Sequence, residues 1–428
     1  MRLFGLATTA LLVVLLTAPR SGETADESTW TLENGLRVTL KPLTTGEKIA
    51  LVIVYDLGED HDPEGQSGLA HLVEHCYVTS AAGKTPVRTA QEMMARYPMA
   101  WNAQTGARYT CVAFVFPKEK LAAEIEEAAA RMGALEITRA DLDREVPRMR
   151  TELANMFSTV SRLAASNRAW AGARPSPENG RKGGVISQIQ QLSLGDVRSW
   201  YRRHYKPVNG RLVLLGPFDE ARGRALVERY FGPIEKGEAP TGRAPGEASQ
   251  QPIEEAGRRG GWLARAWRAP ECDSEEYAPF VVLARRLMAH AMRRGTTGLE
   301  PFPQYAPLDA PEVLSIAKRI VPGESSAEAA AAIDAWVQEI ADEPLGRREG
   351  IATARDFAWL LGTAPLPHAH LARDPYGPAF GIARRAQLGM DGSALARRLA
   401  AVDQAAFEAM FERVFGAGTG AAAAVVER

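Results

Sequence analysis

The chain has 428 residues, 46% hydrophobic and 24% charged, an ordinary globular composition that excludes a disordered chain, a collagen or a coiled-coil rod. Its 51 Lys and Arg against 52 Asp and Glu leave a formal charge of −1, so no bulk positive field marks it as a nucleic-acid binder. At roughly 150 residues per domain the length suits two or three domains. Cys76, Cys111 and Cys272 are too few for a disulfide framework and fit no zinc knuckle, so they read as small buried hydrophobes.

Arg2 precedes an uncharged apolar run over residues 3–18, and polarity returns from Arg20 to Glu27. This is the charged-then-apolar order of a secretory signal, and the run is shorter than the ~20 residues that span a bilayer. Residues 1–25 are therefore read as a signal peptide, with an uncleaved membrane anchor as the alternative. The mature chain is expected to be exported, periplasmic or secreted, with no membrane span.

Strands are predicted over 36–40 and 49–57, rich in Val, Ile and Leu. Helical patterns follow at 67–79 and 89–96, a strand at 107–116, a helix at 118–135 and one long helix at 140–165. A helix at 194–204 and a buried strand at 211–215 close the first half. Residues 236–258, rich in Gly, Pro, Glu and Ser, read as the linker between domains at 26–235 and 259–428. The second half repeats the mixture: strands at 261–267, 313–320 and 421–426, and helices at 274–294, 326–340, 350–361 and 393–411. Mixed elements in each half indicate an α+β fold of packed layers.

The chemistry concentrates in His71-Leu72-Val73-Glu74-His75. Two His at i and i+4 lie one turn apart on a helix face, and Glu74 borders that face. This is the H-x-x-E-H order of an inverted zincin. Two imidazoles and a carboxylate suit zinc with one open position. Glu74 is then the general base, taking a proton from water whose pKa the metal lowers. The helix at 140–165 offers Glu145 and Glu152, seven residues or about two turns apart and so on one face. One can ligate while the other orients a ligand His; helix geometry leaves open which does which. His368-Ala369-His370 is a much weaker metal candidate.

Sixty-nine residues separate His75 from Glu145 and six separate Glu145 from Glu152. With Gly68-Leu69-Ala70 before the motif, Asn102-Ala103-Gln104-Thr105 after it, and Pro207 and Asn209 further on, the chain resembles the pitrilysin/insulysin peptidases, which include the mitochondrial processing peptidase subunits. The resemblance covers about residues 28–235 and is weaker beyond 260. It implies two similar domains, each a largely antiparallel sheet covered by helices. It also implies zinc held by His71, His75 and Glu152, with Glu145 behind them. The N-A-x-T segment is expected to be an edge strand that pairs with an extended peptide. Asn102 would hydrogen-bond the reacting carbonyl or the tetrahedral intermediate, and Ala103 would contact substrate.

Active single-chain relatives carry an Arg and a Tyr seven residues later in the second domain. Neither Arg293 nor Arg294 has a Tyr at that distance, and Arg294 with Tyr305 is a shifted candidate. Two functions follow as expectations. The first is an exported zinc metalloendopeptidase, one ion per chain, working as a homodimer or as the zinc-bearing half of a heterodimer. The rival is a non-cleaving structural or peptide-binding homologue.

Overall fold

The computed structural model describes residues 27–98, 100–157, 161–174, 183–240, 260–294, 301–362, 368–416 and 420–426. The predicted signal peptide and most of the predicted linker lie outside these residues. The strands are β1 (Ser28–Thr31), β2 (Arg37–Pro42), β3 (Lys48–Tyr55), β4 (Ala81–Ala82), β5 (Ala100–Thr105), β6 (Thr110–Pro117), β7 (Leu135–Glu136), β8 (Gly210–Gly216), β9 (Gly261–Arg268), β10 (Phe302–Ala306), β11 (Ala310–Ile320) and β12 (Ala421–Val426). They form a six-stranded sheet in the order β1-β2-β8-β3-β6-β5, a four-stranded sheet in the order β10-β11-β9-β12, and the short pair β4-β7. Only β2 and β8 run parallel. The result is an α+β fold, as the mixed sequence pattern predicts, with one main sheet per lobe, as the resemblance implies.

In the first sheet, alternation along each strand sorts side chains by size. Ile49, Leu51, Ile53 and Tyr55 of β3, with Val112, Phe114 and Phe116 of β6 and Leu212 and Leu214 of β8, face the large core. There they meet the helices Leu69–Thr79, Leu121–Gly133 and Leu194–His204. The opposite face carries Ala50, Val52, Val54, Cys111, Ala113, Val115, Val213 and Leu215. A strand buried on both faces reads as a continuous apolar run, which is why β3 and β8 were legible as buried strands.

The small-residue face of the first sheet is covered by the second lobe. Leu371, Ala379, Ile382 and Ala383, from helices His368–Arg373 and Tyr376–Gln387, pack onto it. The exchange is reciprocal. Ala164, Ala165 and Ala169 of the first-lobe helix Arg162–Ala173 lie against Ala264 and Ala266 of β9, Val313 and Ala317 of β11, and Ala423 and Val425 of β12. The other face of the second sheet, with Leu263, Trp267, Leu314 and Ile316, meets helices Tyr277–Arg294 and Ser326–Asp342. Small residues on both sides allow close approach of helix and sheet. Ala169→Leu, at a fully buried position, is expected to overpack this contact and cost about 1–3 kcal/mol in urea unfolding.

Several predicted helices are divided. The long helix at 140–165 is two, Arg139–Phe157 and Arg162–Ala173, because Ser161 caps a new start by accepting from Ala164 N. The 393–411 pattern resolves into Gly392–Ala400 and Gln404–Phe415, the second capped by Asp403, and the 350–361 pattern into Glu349–Asp356 and Ala358–Leu361. The helix Tyr376–Gln387 is not among the predicted elements; its Gly and Pro residues interrupt a helical pattern. Val208 N bonds Lys236 O and Asn209 donates to Glu238 O, holding the chain on the first lobe as far as Glu238.

Candidate metal centre

The motif lies on the helix Leu69–Thr79, every residue of which is buried. Both ends of this helix are pinned. At its start Gly68 adopts φ +98°, and a Cβ there would lie 2.6 Å from Ile189 Cγ1, so only Gly fits. Asp62 takes the place of an adjacent cap, accepting from Gly68 N at 2.7 Å and Ala70 N at 2.8 Å. At its end the fully buried Arg131 donates to Tyr77 O at 2.6 Å and is itself paired with Glu127 at 3.0 Å. A cation on the last carbonyls also suits the helix dipole.

On this fixed helix the Nε2 atoms of His71 and His75 stand 3.2 Å apart. Glu152, from the helix Arg139–Phe157, brings one carboxylate oxygen to 3.7 Å from His71 Nε2 and the other to 3.5 Å from His75 Nε2. The Nδ1 atoms are turned away and engaged: His71 Nδ1–H donates to Gly183 O at 3.0 Å, and His75 Nδ1–H to Glu145 Oε2 at 3.3 Å. With Nδ1 carrying the proton in both rings, two lone pairs and a carboxylate converge on one point. Ligands about 2.0–2.1 Å from a tetrahedral ion stand about 3.3 Å from one another. The observed separations fit that geometry, and the residues present therefore suit a zinc-sized cation. Glu152 is 43% exposed, which leaves the centre open on one side.

The electrostatics say the same. Burial pushes His75 down, but its bonds to Glu145 and Glu152 and the charge of Glu74 outweigh this and raise it to about 9. Burial pushes both glutamates up, yet the bond from His75 with the Arg148 charge on Glu145, and the bond from His75 with the His71 charge on Glu152, hold each near 2. The site is thus built to hold positive charge. Glu145 is further fixed by Thr79 Oγ1 at 2.9 Å, Arg144 Nε at 2.9 Å and Arg148 Nη1 at 3.0 Å. Glu145→Gln is expected to weaken zinc affinity about 10–100-fold by loosening the His75 ring, measured by chelator competition.

Glu74 is buried, and its Oε2 accepts from Thr105 Oγ1 at 3.1 Å. Thr105 belongs to β5, the edge strand of the first sheet, so the predicted edge strand does lie beside the motif. Asn102 is a correction. Trp101 and Ala103 pack on the large core, on the motif side of the sheet, whereas Asn102 pairs with Ala113 and shares its opposite face. Its side chain donates to Tyr376 Oη at 2.8 Å, away from the metal centre. Strand alternation places Thr105, not Asn102, next to Glu74. Tyr305 is a core residue whose hydroxyl bonds Tyr277 Oη at 2.9 Å and Pro311 O at 3.3 Å, which removes it from the shifted Arg/Tyr pair. The sequence His368-Ala369-His370 lies on the helix His368–Arg373 rather than in a loop.

Asp62, Arg131, Thr105, Thr79 and Gly183 escaped the sequence reading. Gly183 carries the clearest signal in retrospect. It sits in a Gly-Gly pair with φ +85° and +108°, and a Cβ at Gly183 would lie 2.6 Å from Leu153 and 3.3 Å from His71 Nδ1.

Comparison with known proteins bears on the family and the fold. The family model described as Insulinase (Peptidase family M16) matches residues 37–177, and that described as Peptidase M16 inactive domain matches residues 191–294. A zinc protease PqqE of Helicobacter pylori is 22% identical over 237 residues, 54% of this chain and 52% of that protein. The mitochondrial-processing peptidase subunit beta of Caenorhabditis elegans is 25% identical over 250 residues, 56% of this chain and 51% of that protein. The aligned part thus spans about half the length of these curated relatives. Among solved structures, a protease from Helicobacter pylori superposes with a TM-score of 0.76 at 15% identity, over 95% of this chain and 100% of that one. The periplasmic protease PqqL from Escherichia coli gives 0.68 at 16% identity, over 96% of this chain and 48% of that one. At such identities the structural likeness speaks to the fold, while the matched family models and the curated relatives carry the assignment: the chain belongs to the insulinase family of peptidases, M16.

Proposed function

We propose that the chain is an exported zinc metalloendopeptidase that hydrolyses extended peptides. The observation that carries this reading is the convergence of His71, His75 and Glu152 on one point, with Glu74 beside them and an edge strand alongside. His71, His75 and Glu152 would hold the ion, and Glu145 and Gly183 O orient the two rings. Zinc in such a site supplies Lewis acidity and lowers the pKa of water. Glu74 takes the proton from the attacking water and passes it to the leaving amine. The Thr105 hydroxyl holds one oxygen of Glu74 in place. Among the described residues no strand pairs the outer edge of β5, so its backbone groups are available to an extended substrate. Ala103 then contributes through the main chain.

Export is supported by the charged-then-apolar N-terminus and by the periplasmic protease among the structural neighbours. Among the described residues no helix is long and apolar enough to cross a membrane. The burial of Tyr305 favours a two-chain form, in which a related partner or a second copy supplies donors to the open side of the centre. It equally motivates the second reading, a peptide-binding homologue that does not cut. The deciding experiment measures zinc content and peptide-library cleavage on the pure chain, and again with a related subunit added. Cleavage by either preparation, at about one zinc per chain, supports the peptidase. Zinc bound with no cleavage in both leaves the peptide-binding reading.

A further inference from the structure

We propose that the second lobe holds the substrate edge from behind through a polar clasp, in which Tyr376 and Asp309 are positioning residues for β5. This deepens the reading of β5 as the peptide-pairing strand and rests on it for its functional consequence. The structural part stands by itself. β5 needs such support: it has one strand neighbour, and all six of its residues are only partly buried. A lone edge strand with little apolar burial opens easily.

Of the three back-face side chains of β5, Ala100 packs on the apolar face while Asn102 and Gln104 are polar and both engaged by the second lobe. Asn102 Nδ2 donates to Tyr376 Oη at 2.8 Å. Gln104 Nε2 donates to Asp309 Oδ1 at 3.1 Å and to Tyr109 Oη at 2.6 Å, and the Tyr109 hydroxyl donates in turn to Asp309. Arg384, almost fully buried, stacks its guanidinium 3.6 Å from the Tyr109 ring centroid and donates to Leu308 O at 2.6 Å, fixing the turn that carries Asp309. At the hairpin tip, Gln387 donates to Arg108 O at 3.1 Å and Arg108 pairs with Glu271 at 3.1 Å.

The clasp also sets which face is which. A one-residue slip of β5 against β6 would turn Asn102 and Gln104 toward the metal side and Thr105 away from Glu74. The cross-lobe bonds of Asn102 and Gln104 are made on the far side and would be lost in the slipped register, so they favour the register that a peptide would read.

The test is hydrogen exchange on the full-length protein, comparing wild type, Tyr376→Phe, Asp309→Asn and a control, Tyr305→Phe. The control removes a buried hydroxyl whose bonds run to Tyr277 and Pro311 rather than to β5. Tyr376→Phe and Asp309→Asn are each expected to raise exchange of the β5 amides about tenfold, with the Leu69–Thr79 helix and zinc affinity unchanged. In a cleaving preparation they raise KM for extended peptides by a similar factor and leave kcat within about twofold. Unchanged β5 exchange in both variants overturns the proposal, as does equal loosening by Tyr305→Phe, which marks general softening. Because exchange needs no turnover, a wild type that cuts nothing, alone and with a related subunit added, removes the peptidase reading and leaves the clasp to be judged on the exchange data.

Discussion

On the proposed peptidase reading, replacing Glu74 by Gln is expected to give a protein that still binds zinc and cuts peptides about 10²–10⁴-fold more slowly than the unaltered chain. The substitution is isosteric, and the carboxylate lies outside the group formed by His71, His75 and Glu152. Its partly buried neighbour Thr105 is a hydroxyl that can accept from an amide as readily as it donates to a carboxylate. The fold and the group that would hold the ion are therefore expected to be preserved while the proposed proton acceptor is lost. Single-turnover cleavage with zinc content measured on the same sample separates the two effects. A Glu74→Gln protein cutting at the wild-type rate removes the base assignment.

Glu152→Ala acts on the ion instead. Structural zinc sites bind with roughly 10–16 kcal/mol spread over four ligands, so losing one is expected to cost about a hundred- to a thousandfold in zinc affinity. Since Glu152 is 43% exposed, the far-ultraviolet circular dichroism of the metal-free protein should not change. Competition with a chromophoric chelator gives the affinity directly. Wild-type affinity in this variant would mean that another carboxylate completes the centre, and the ligand set would have to be redrawn. The effect exceeds that of Glu145→Gln because Glu145 acts through the His75 ring rather than at the ion.

The candidate site was legible in the sequence because helical spacing is local, although only the family resemblance made Glu152 rather than Glu145 the candidate ligand. His71, Glu74 and His75 fall on one face by periodicity alone, and Glu145 and Glu152 share a face for the same reason. What remained hidden depends on pairing between distant segments. Ala100–Thr105 has no clean apolar alternation, so nothing in it announces which side chains face the motif. That is settled only by its register against β6, and the register puts Asn102 on the far side and Thr105 beside Glu74. Asp62 caps a helix from six residues before Gly68, outside the positions where cap residues are sought. Gly183 acts through a carbonyl, which every residue has. The Tyr376–Gln387 helix is rich in Gly, Pro and Ala because it lies on a face of Ala and Val, and that composition resembles a loop until the sheet beneath it is known.

The three helices traded between lobes have a consequence for how the molecule comes apart. A lobe removed from its neighbour would bare a sheet face of Ala, Val and Leu side chains now covered by the other lobe. Each lobe is in this sense unfinished as a separate body, and melting of one strips the cover from the other. Heating or denaturant should therefore produce a single concerted transition across the whole chain. Separately produced halves should be insoluble alone and recover structure on mixing.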